Sequence, residues 1–183
     1  MKRLSGTTQL LVAVLALLLP LLAPAANVDH YLLGNPTAKT PGRVQPGLLL
    51  MGGGDRNFDA LRWFMAKAGH GHIVILRASL GGEIGQEFYE KVGGIASVEP
   101  FVFKDREAAS DPAILAAIRR ADGIFIAGGD QSRYVRYWRG TPLAKALDAH
   151  VRAGKPLGGT SAGLAILGEY LYGAMDGGSI TSP

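Results

Sequence analysis

Ser161 is the residue in this sequence best placed to act as a nucleophile, because of what stands on either side of it. It lies in Gly159-Thr160-Ser161-Ala162-Gly163, a G-x-S-x-G pattern. The apolar run after Lys155 reads as a buried strand, and residues 164–169 continue as a helix. Strand, tight turn and helix is the context in which this pattern forms a nucleophile elbow. A nucleophile at the tip of so tight a turn sits in strained backbone, and glycines on either side spare it clashes with the strand and the helix. The N–H of Ala162 then points at the place where an oxyanion would form. The plainer reading of the same residues is a strand-to-helix turn with Ser161 as N-cap.

Serine acyl transfer needs about two N–H donors on the developing oxyanion. Gly128-Gly129, at the end of another apolar run, is the best source of the second, with Gly129 N–H as the donor. The alternative is an ordinary glycine loop at a strand end. A serine hydroxyl also needs a base, normally a histidine held by a carboxylate. The chain has His30, His70, His72 and His150, all of them before Ser161. His70-Gly-His72 has no third ligand nearby, so no metal is expected. His72, at a strand start, reads as structural, and His150 as lying on the solvated face of its helix. Of the acids after Ser161, Glu169 and Asp176, Asp176 in Met175-Asp-Gly-Gly-Ser179 is the candidate orienting carboxylate, with a turn aspartate as its alternative.

The elements that must hold these residues alternate. Residues 47–51, 72–76, 98–103 and 123–127 read as strands, and the strand before Ser161 makes a fifth. Residues 59–68 and 87–92 have helical character. Asp111-Pro112 marks an N-cap with proline at the first helical position, opening a helix to about Arg120. A stretch with Leu143, Ala146, Leu147 and Val151 leads back to the elbow strand. Residues 27–45 are polar and proline-punctuated and read as an irregular lead-in. The expectation is an α/β domain, a parallel sheet with helices on both faces. In such sheets the ligand site lies beyond the carboxyl ends of the strands, where Gly52–Gly54, Gly128–Gly129 and the elbow fall. Gly52-Gly-Gly-Asp55 lacks both the dinucleotide spacing and the Lys-Ser/Thr of a P-loop, which argues against nucleotide binding and any cofactor.

Of the 183 residues, 48% are hydrophobic and 19% charged, the balance of one ordinary globular domain. The formal charge of +4 is too small and too scattered to argue for nucleic acid. Residues 1–25 read as a cleavable export signal: Lys2 and Arg3, an apolar run over residues 10–22 broken by Pro20, then Ala23-Pro24-Ala25. The run falls short of the roughly 20 residues of a spanning helix, and an uncleaved anchor is the alternative. After cleavage no membrane attachment is expected, and residues 26–183 form the domain. The sequence has no cysteine, hence no disulfide and no thiolate chemistry. The expected location is the periplasm or the extracellular space.

Taken together, Ile124-Phe-Ile-Ala-Gly-Gly-Asp-Gln131, Gly159-Thr-Ser-Ala-Gly163 and Asp176-Gly-Gly-Ser-Ile180 resemble cyanophycinase and the related aspartyl dipeptidases. The resemblance covers about residues 47–183. It implies a flavodoxin-like sheet of the class I glutamine amidotransferase type and a Ser-His-Glu/Asp site. By position, Ser161 matches the nucleophile, Gly129 and Ala162 the oxyanion donors, and Gln131 with its neighbour Asp130 a substrate-pocket position. Asp176 falls near the third member. The implied substrate is an aspartyl peptide or cyanophycin, a poly-aspartate with β-linked arginines, and homodimerisation stays open. The family's histidine lies further beyond the serine than this chain extends. The reading is therefore a C-terminally truncated sequence, incomplete as a domain and inactive alone. Two other functions share the pattern: an α/β-hydrolase esterase, and a non-catalytic periplasmic binding protein on the same fold.

Overall fold

The computed structural model describes residues 27–79 and 83–176. The leader read from residues 1–25 lies outside them, as does the Gly-Gly-Ser that follows Asp176. Seven strands form one sheet among the described residues: β1 (Val28–His30), β2 (Leu33–Gly34), β3 (Leu48–Met51), β4 (His72–Arg77), β5 (Ser97–Phe103), β6 (Gly123–Ile126) and β7 (Leu157–Thr160). Their order is β1-β5-β4-β6-β7-β3, with β2 also on β5. From β5 to β3 all pairings are parallel.

Side chains alternate across this sheet, as the two-residue period of a strand requires. Val74, Leu76, Ile124 and Ile126 enter one core, and Ile73, Ile75, Phe125 and Ala127 the other. The first core is closed by α3 (Pro112–Arg120), α4 (Gln131–Trp138) and α5 (Pro142–Arg152), through Ile114, Tyr134 and Leu143. The second is closed by α1 (Phe58–Lys67) and α2 (Ile84–Gln86), through Leu61, Phe64 and Ile84. A π-helical stretch, Glu87–Val92, continues α2. Helix starts are capped as their sequences suggest. Asp111 accepts from Ala113 and Ile114 N–H, Asn57 from Ala60 N–H, and Thr141 precedes Pro142. No helix among the described residues is long and apolar enough to cross a membrane.

Three expectations change. Residues 27–45 are not wholly irregular, because β1 and β2 lie antiparallel on the outer side of β5. They are short and polar, and their order comes from pairing. β1 bonds to Phe101–Phe103 and β2 to Ser97–Val98, on either side of Pro100, which has no N–H to give. A helix absent from the sequence reading, α4, follows the Gly128-Gly129 loop. The helix after the elbow is short: α6 (Ala162–Ala165) gives way to turns.

Candidate active site

The ends of β3, β6 and β7 bring the three glycine-rich loops together around Ser161. Ser161 follows β7 at φ 52°, ψ −123°, a left-handed backbone rare for a residue with a side chain. Such a conformation costs on the order of 1–3 kcal/mol and persists only where its surroundings enforce it. Ser161 N–H donates to Met51 O (3.1 Å), Thr160 Oγ1 donates to Gly52 O (2.7 Å), and Ala165 N–H donates to Ser161 O (2.9 Å). These bonds bolt the turn to β3 on one side and to α6 on the other.

The flanking glycines are there for closeness. A Cβ on Gly163 would lie 2.1 Å from Ile126 O, and one on Gly159 would lie 2.5 Å from Gly163 O. Neither position has room for a methyl group, so the elbow can fold only with glycine at both. The serine side chain, by contrast, makes no capping hydrogen bond to α6, although Ser161 stands at the N-cap position. Its residue surface is exposed. A Cβ on Gly53 would come within 3.6 Å of Ser161 Oγ, and one on Gly128 within 3.1 Å of Ser161 Cβ. The hydroxyl is thus presented between two side-chain-free loops. Ala162, as the first residue of α6, has an N–H with no intrahelical acceptor.

The loop after β6 is held by several hydrogen bonds. Ala127 N–H donates to Leu76 O (3.0 Å). Tyr134 Oη donates to Ala127 O (2.6 Å), with Gly128 O 3.3 Å away. Burial pushes the Tyr134 phenol far above its ordinary range, so it keeps its proton and remains a donor. Asp130 N–H donates to Ser79 Oγ (2.6 Å). Gly129, at φ 149°, has no acceptor for its own N–H among the described residues.

The two pocket candidates have local partners. The Asp130 carboxylate caps α4 by accepting from Ser132 N–H (2.9 Å), with Arg133 3.6 Å away. Burial acts to raise this carboxyl, but the Ser132 bonds and the Arg133 charge outweigh it and hold the group below the usual aspartate range. Gln131 Nε2 donates to Tyr172 O (2.8 Å) and ties α4 to the segment after the elbow. Asp176 is an exposed turn residue, and no hydrogen bond joins it to Ser161 or to a histidine.

No histidine stands at the elbow. His30 stacks on Phe101 and bonds Glu99 (3.0 Å) on β1, four strands from β7, which is about 19 Å at the usual strand spacing. His70 bonds Gly94 O (2.8 Å), while His72 is held by Ser97 Oγ (2.9 Å) and Ala38 O (2.8 Å), so the two do not share a ligand. His150 corrects the sequence reading, which put it on a solvated face. It is buried, bonds Pro156 O (3.0 Å), and desolvation lowers its pKa to about 4. Among the described residues no three of His, Cys, Asp and Glu gather as a metal would require. A groove of about 950 Å³ opens on the α4–α5 side, lined by Leu48, Leu147, Val151, Tyr170 and Met175 among others. It is apolar and does not include Ser161 or Gly129.

The chain matches the model of peptidase family S51 over residues 85–182, which takes in the Gly128-Gly129 loop and Ser161. It belongs to that family. A cyanophycinase from Trichormus variabilis is 29% identical over 157 residues, 79% of this chain and 51% of that protein. One from Synechococcus elongatus is 42% identical over 91 residues, 49% of this chain and 28% of that protein. The crystal structure of a peptidase from an acI-B1 actinobacterium superposes with a TM-score of 0.52 at 19% identity, over 68% of this chain and 56% of that one. That likeness speaks for the fold alone. The chain spans about half the length of the first of these cyanophycinases.

One participant escaped the sequence reading. Ser79, at the end of β4, fills the space beside Gly129, where a Cβ would lie 2.2 Å from its Oγ. A lone serine after a strand carries no spacing signal. Its position became visible only once β4 and β6 were seen to be neighbours.

Proposed function

We propose that this chain carries the nucleophile and oxyanion half of an exported serine exopeptidase acting on aspartyl peptide bonds, β-Asp-Arg or Asp-X, with cyanophycin-like polymers among its substrates. The observation that carries the reading is Ser161 itself. It is strained, exposed and free of any capping bond, between glycine loops that leave room for an acyl group. Ser161 Oγ attacks the scissile carbonyl, and the N–H groups of Ala162 and Gly129 receive the oxyanion. The substrate class follows the cyanophycinase relatives. Gln131 and Asp130 border the approach from the α4 side, and Asp176 is the candidate orienting carboxylate. The basic, apolar and small-residue pattern of residues 1–25 supports export.

Each of the four histidines is held by partners away from Ser161, so none of them is proposed as its general base. In such a site the loss of the base alone costs on the order of 10⁶ in kcat. Residues 26–183 by themselves are expected to show no turnover of β-aspartyl-arginine. The longest reading frame of the source gene that contains them is expected to hydrolyse it, and Ser161→Ala in that protein to abolish hydrolysis with an unchanged melting temperature. An N-cap would behave differently: its loss lowers stability by about 0.5–2 kcal/mol and leaves chemistry alone. A Ser161→Ala protein that melts lower but still cleaves the substrate refutes the proposal. A marked preference for a simple ester over the peptide refutes the substrate class.

A further inference from the structure

In the loop that joins β6 to α4, several polar backbone groups are held. The Ala127 and Gly128 carbonyls face the Tyr134 hydroxyl, and Ala127 N–H is taken by Leu76 O. Ser132 N–H is taken by the Asp130 carboxylate. The Asp130 N–H is the one group of this set whose acceptor comes from a distant side chain, the hydroxyl of Ser79 just beyond β4. The peptide unit just before it, which carries Gly129 N–H, is left with no acceptor among the described residues. Gly129 is exposed, so its N–H is left to solvent or to a ligand.

Ser79 acts on this peptide twice. Its Oγ accepts from Asp130 N–H at 2.6 Å, and the same side chain occupies the volume where any residue but glycine at 129 would place its Cβ. The hydrogen bond fixes the 129–130 peptide plane. The packing fixes Gly129 at φ 149°, a conformation L side chains rarely adopt. With the plane on one side set by Ser79 and the carbonyls on the other side set by Tyr134, the Gly129 N–H has little freedom to turn. A preorganised donor is worth more than one that must reorient during the reaction.

We infer that Ser79 is a positioning residue of the oxyanion loop, which holds Gly129 N–H in place through its hydrogen bond to Asp130 N–H. This rests on the proposed acyl-transfer role of Ser161, and it adds a residue to which the nucleophile pattern gives no clue. Ser79 makes no hydrogen bond to Ser161 among the described residues. Its effect is transmitted through one peptide unit.

Two measurements test it, the first of which needs no activity. In the ¹⁵N-labelled chain, Ser79→Ala is expected to shift the Gly129 and Asp130 amide resonances and to speed Asp130 amide exchange at least tenfold. Ser79→Thr, which keeps an acceptor oxygen, is expected to restore both. If Ser79→Ala leaves the two amides unchanged in a folded protein, the inference is overturned whatever the enzyme does. The second uses the longest reading frame that contains the chain, with hydrolysis of β-aspartyl-arginine as the readout. Removing an oxyanion donor outright costs about 10²–10³ in rate, so misplacing one through Ser79→Ala is expected to lower kcat by about 10²-fold at the most. KM and the pH profile should move little, since neither binding nor the base is touched. A rise in KM with kcat intact overturns the inference, as does a Ser79→Thr protein that protects the Asp130 amide again without recovering kcat. Retained hydrolysis in Ser161→Ala would instead strike the nucleophile reading, which keeps the two failures apart.

Discussion

At one edge of the sheet, β5 is buried along its whole length, its inner side on β4 and its outer side taken by β1 and β2. At the other edge, β3 pairs with β7 on one side only among the described residues. There Leu49 and Met51 lie buried under α1, while Leu48 and Leu50 on the opposite face are 56% and 54% exposed. The helices that cover Leu157 do not extend over its neighbour Leu48. The polar residues follow the same division. His30, His70 and His72 are fixed in the half around β5, and His150 is held at Pro156 O, at the far end of β7 from Ser161. Ser161 and the glycine loops crown the half that ends in β3. The fold therefore spends its histidines on structure and gathers the proposed nucleophile and donors beside β3, whose Leu48 and Leu50 are exposed among the described residues.

The steepest contrast available is steric. Gly163→Ala drives a methyl group into Ile126 O at 2.1 Å, with Ala127 O at 2.6 Å. Backbone cannot give way as a flexible side chain can, so the cost is expected at about 3 kcal/mol. Gly52→Ala, in the loop after β3 with nothing within 4 Å, should stay within about 0.5 kcal/mol of wild type. Urea titration of the two variants measures the difference. Equal stabilities would mean that the elbow is not packed as closely on β6 as its role demands.

How much of this was open to sequence reasoning depends on where the ordering force lies. The five parallel strands were legible because each is a compact apolar run bounded by turn residues. The Asp111 cap was legible because Asp-Pro opens a helix by local chemistry. The elbow was legible because glycine at 159 and 163 is a local steric need, visible as a pattern. β1 and β2 were not, since Val28-Asp-His30 and Leu33-Gly34 become strands only by pairing with β5. α4 was hidden because Gln131–Trp138 is mostly polar, with Tyr134 and Trp138 as its buried contacts. His150 misled for the opposite reason: a polar residue near the end of an amphipathic helix looks solvated until the turn back to β7 brings Pro156 O to it. Ser79 needs two strands that are distant in sequence to meet.

His150 gives a second, smaller contrast, since it is a titratable group sealed inside. Its folded pKa of about 4 lies below the ordinary 6.5, chiefly through desolvation, with Pro156 O acting against the shift and Lys155 adding to it. A depressed folded pKa means that the unfolded chain takes the proton more readily. The stability tied to neutral His150 is therefore fully present above about pH 6.5 and is lost progressively as the pH falls toward 4. Across that window the loss is expected to approach about 3 kcal/mol. His150→Gln keeps a donor for Pro156 O and removes the titration, so its stability should fall less steeply over the same range. Chemical denaturation at pH 7, 5.5 and 4 reads this directly. Parallel pH dependences for the two proteins would place His150 in contact with solvent after all.

The smallest expected effect tests the open edge itself. Leu49 and Leu50 are adjacent on β3 and face opposite sides, so a pair of substitutions compares a covered face with an uncovered one at a single place in the fold. Leu49→Ala removes a side chain that is 8% exposed and packed in the core beneath α1, and should cost roughly 2 kcal/mol. Leu50→Lys replaces a side chain already more than half in water, so folding stability should change by less than about 0.5 kcal/mol. Lysine on an edge strand also opposes pairing between chains. Any concentration-dependent self-association of residues 26–183 should therefore weaken in Leu50→Lys and persist in Leu49→Ala. Sedimentation equilibrium beside urea unfolding separates the two quantities. If Leu50→Lys destabilises the monomer as much as Leu49→Ala does, the β3 face is covered in solution, and the contrast between the two edges fails at its simplest point.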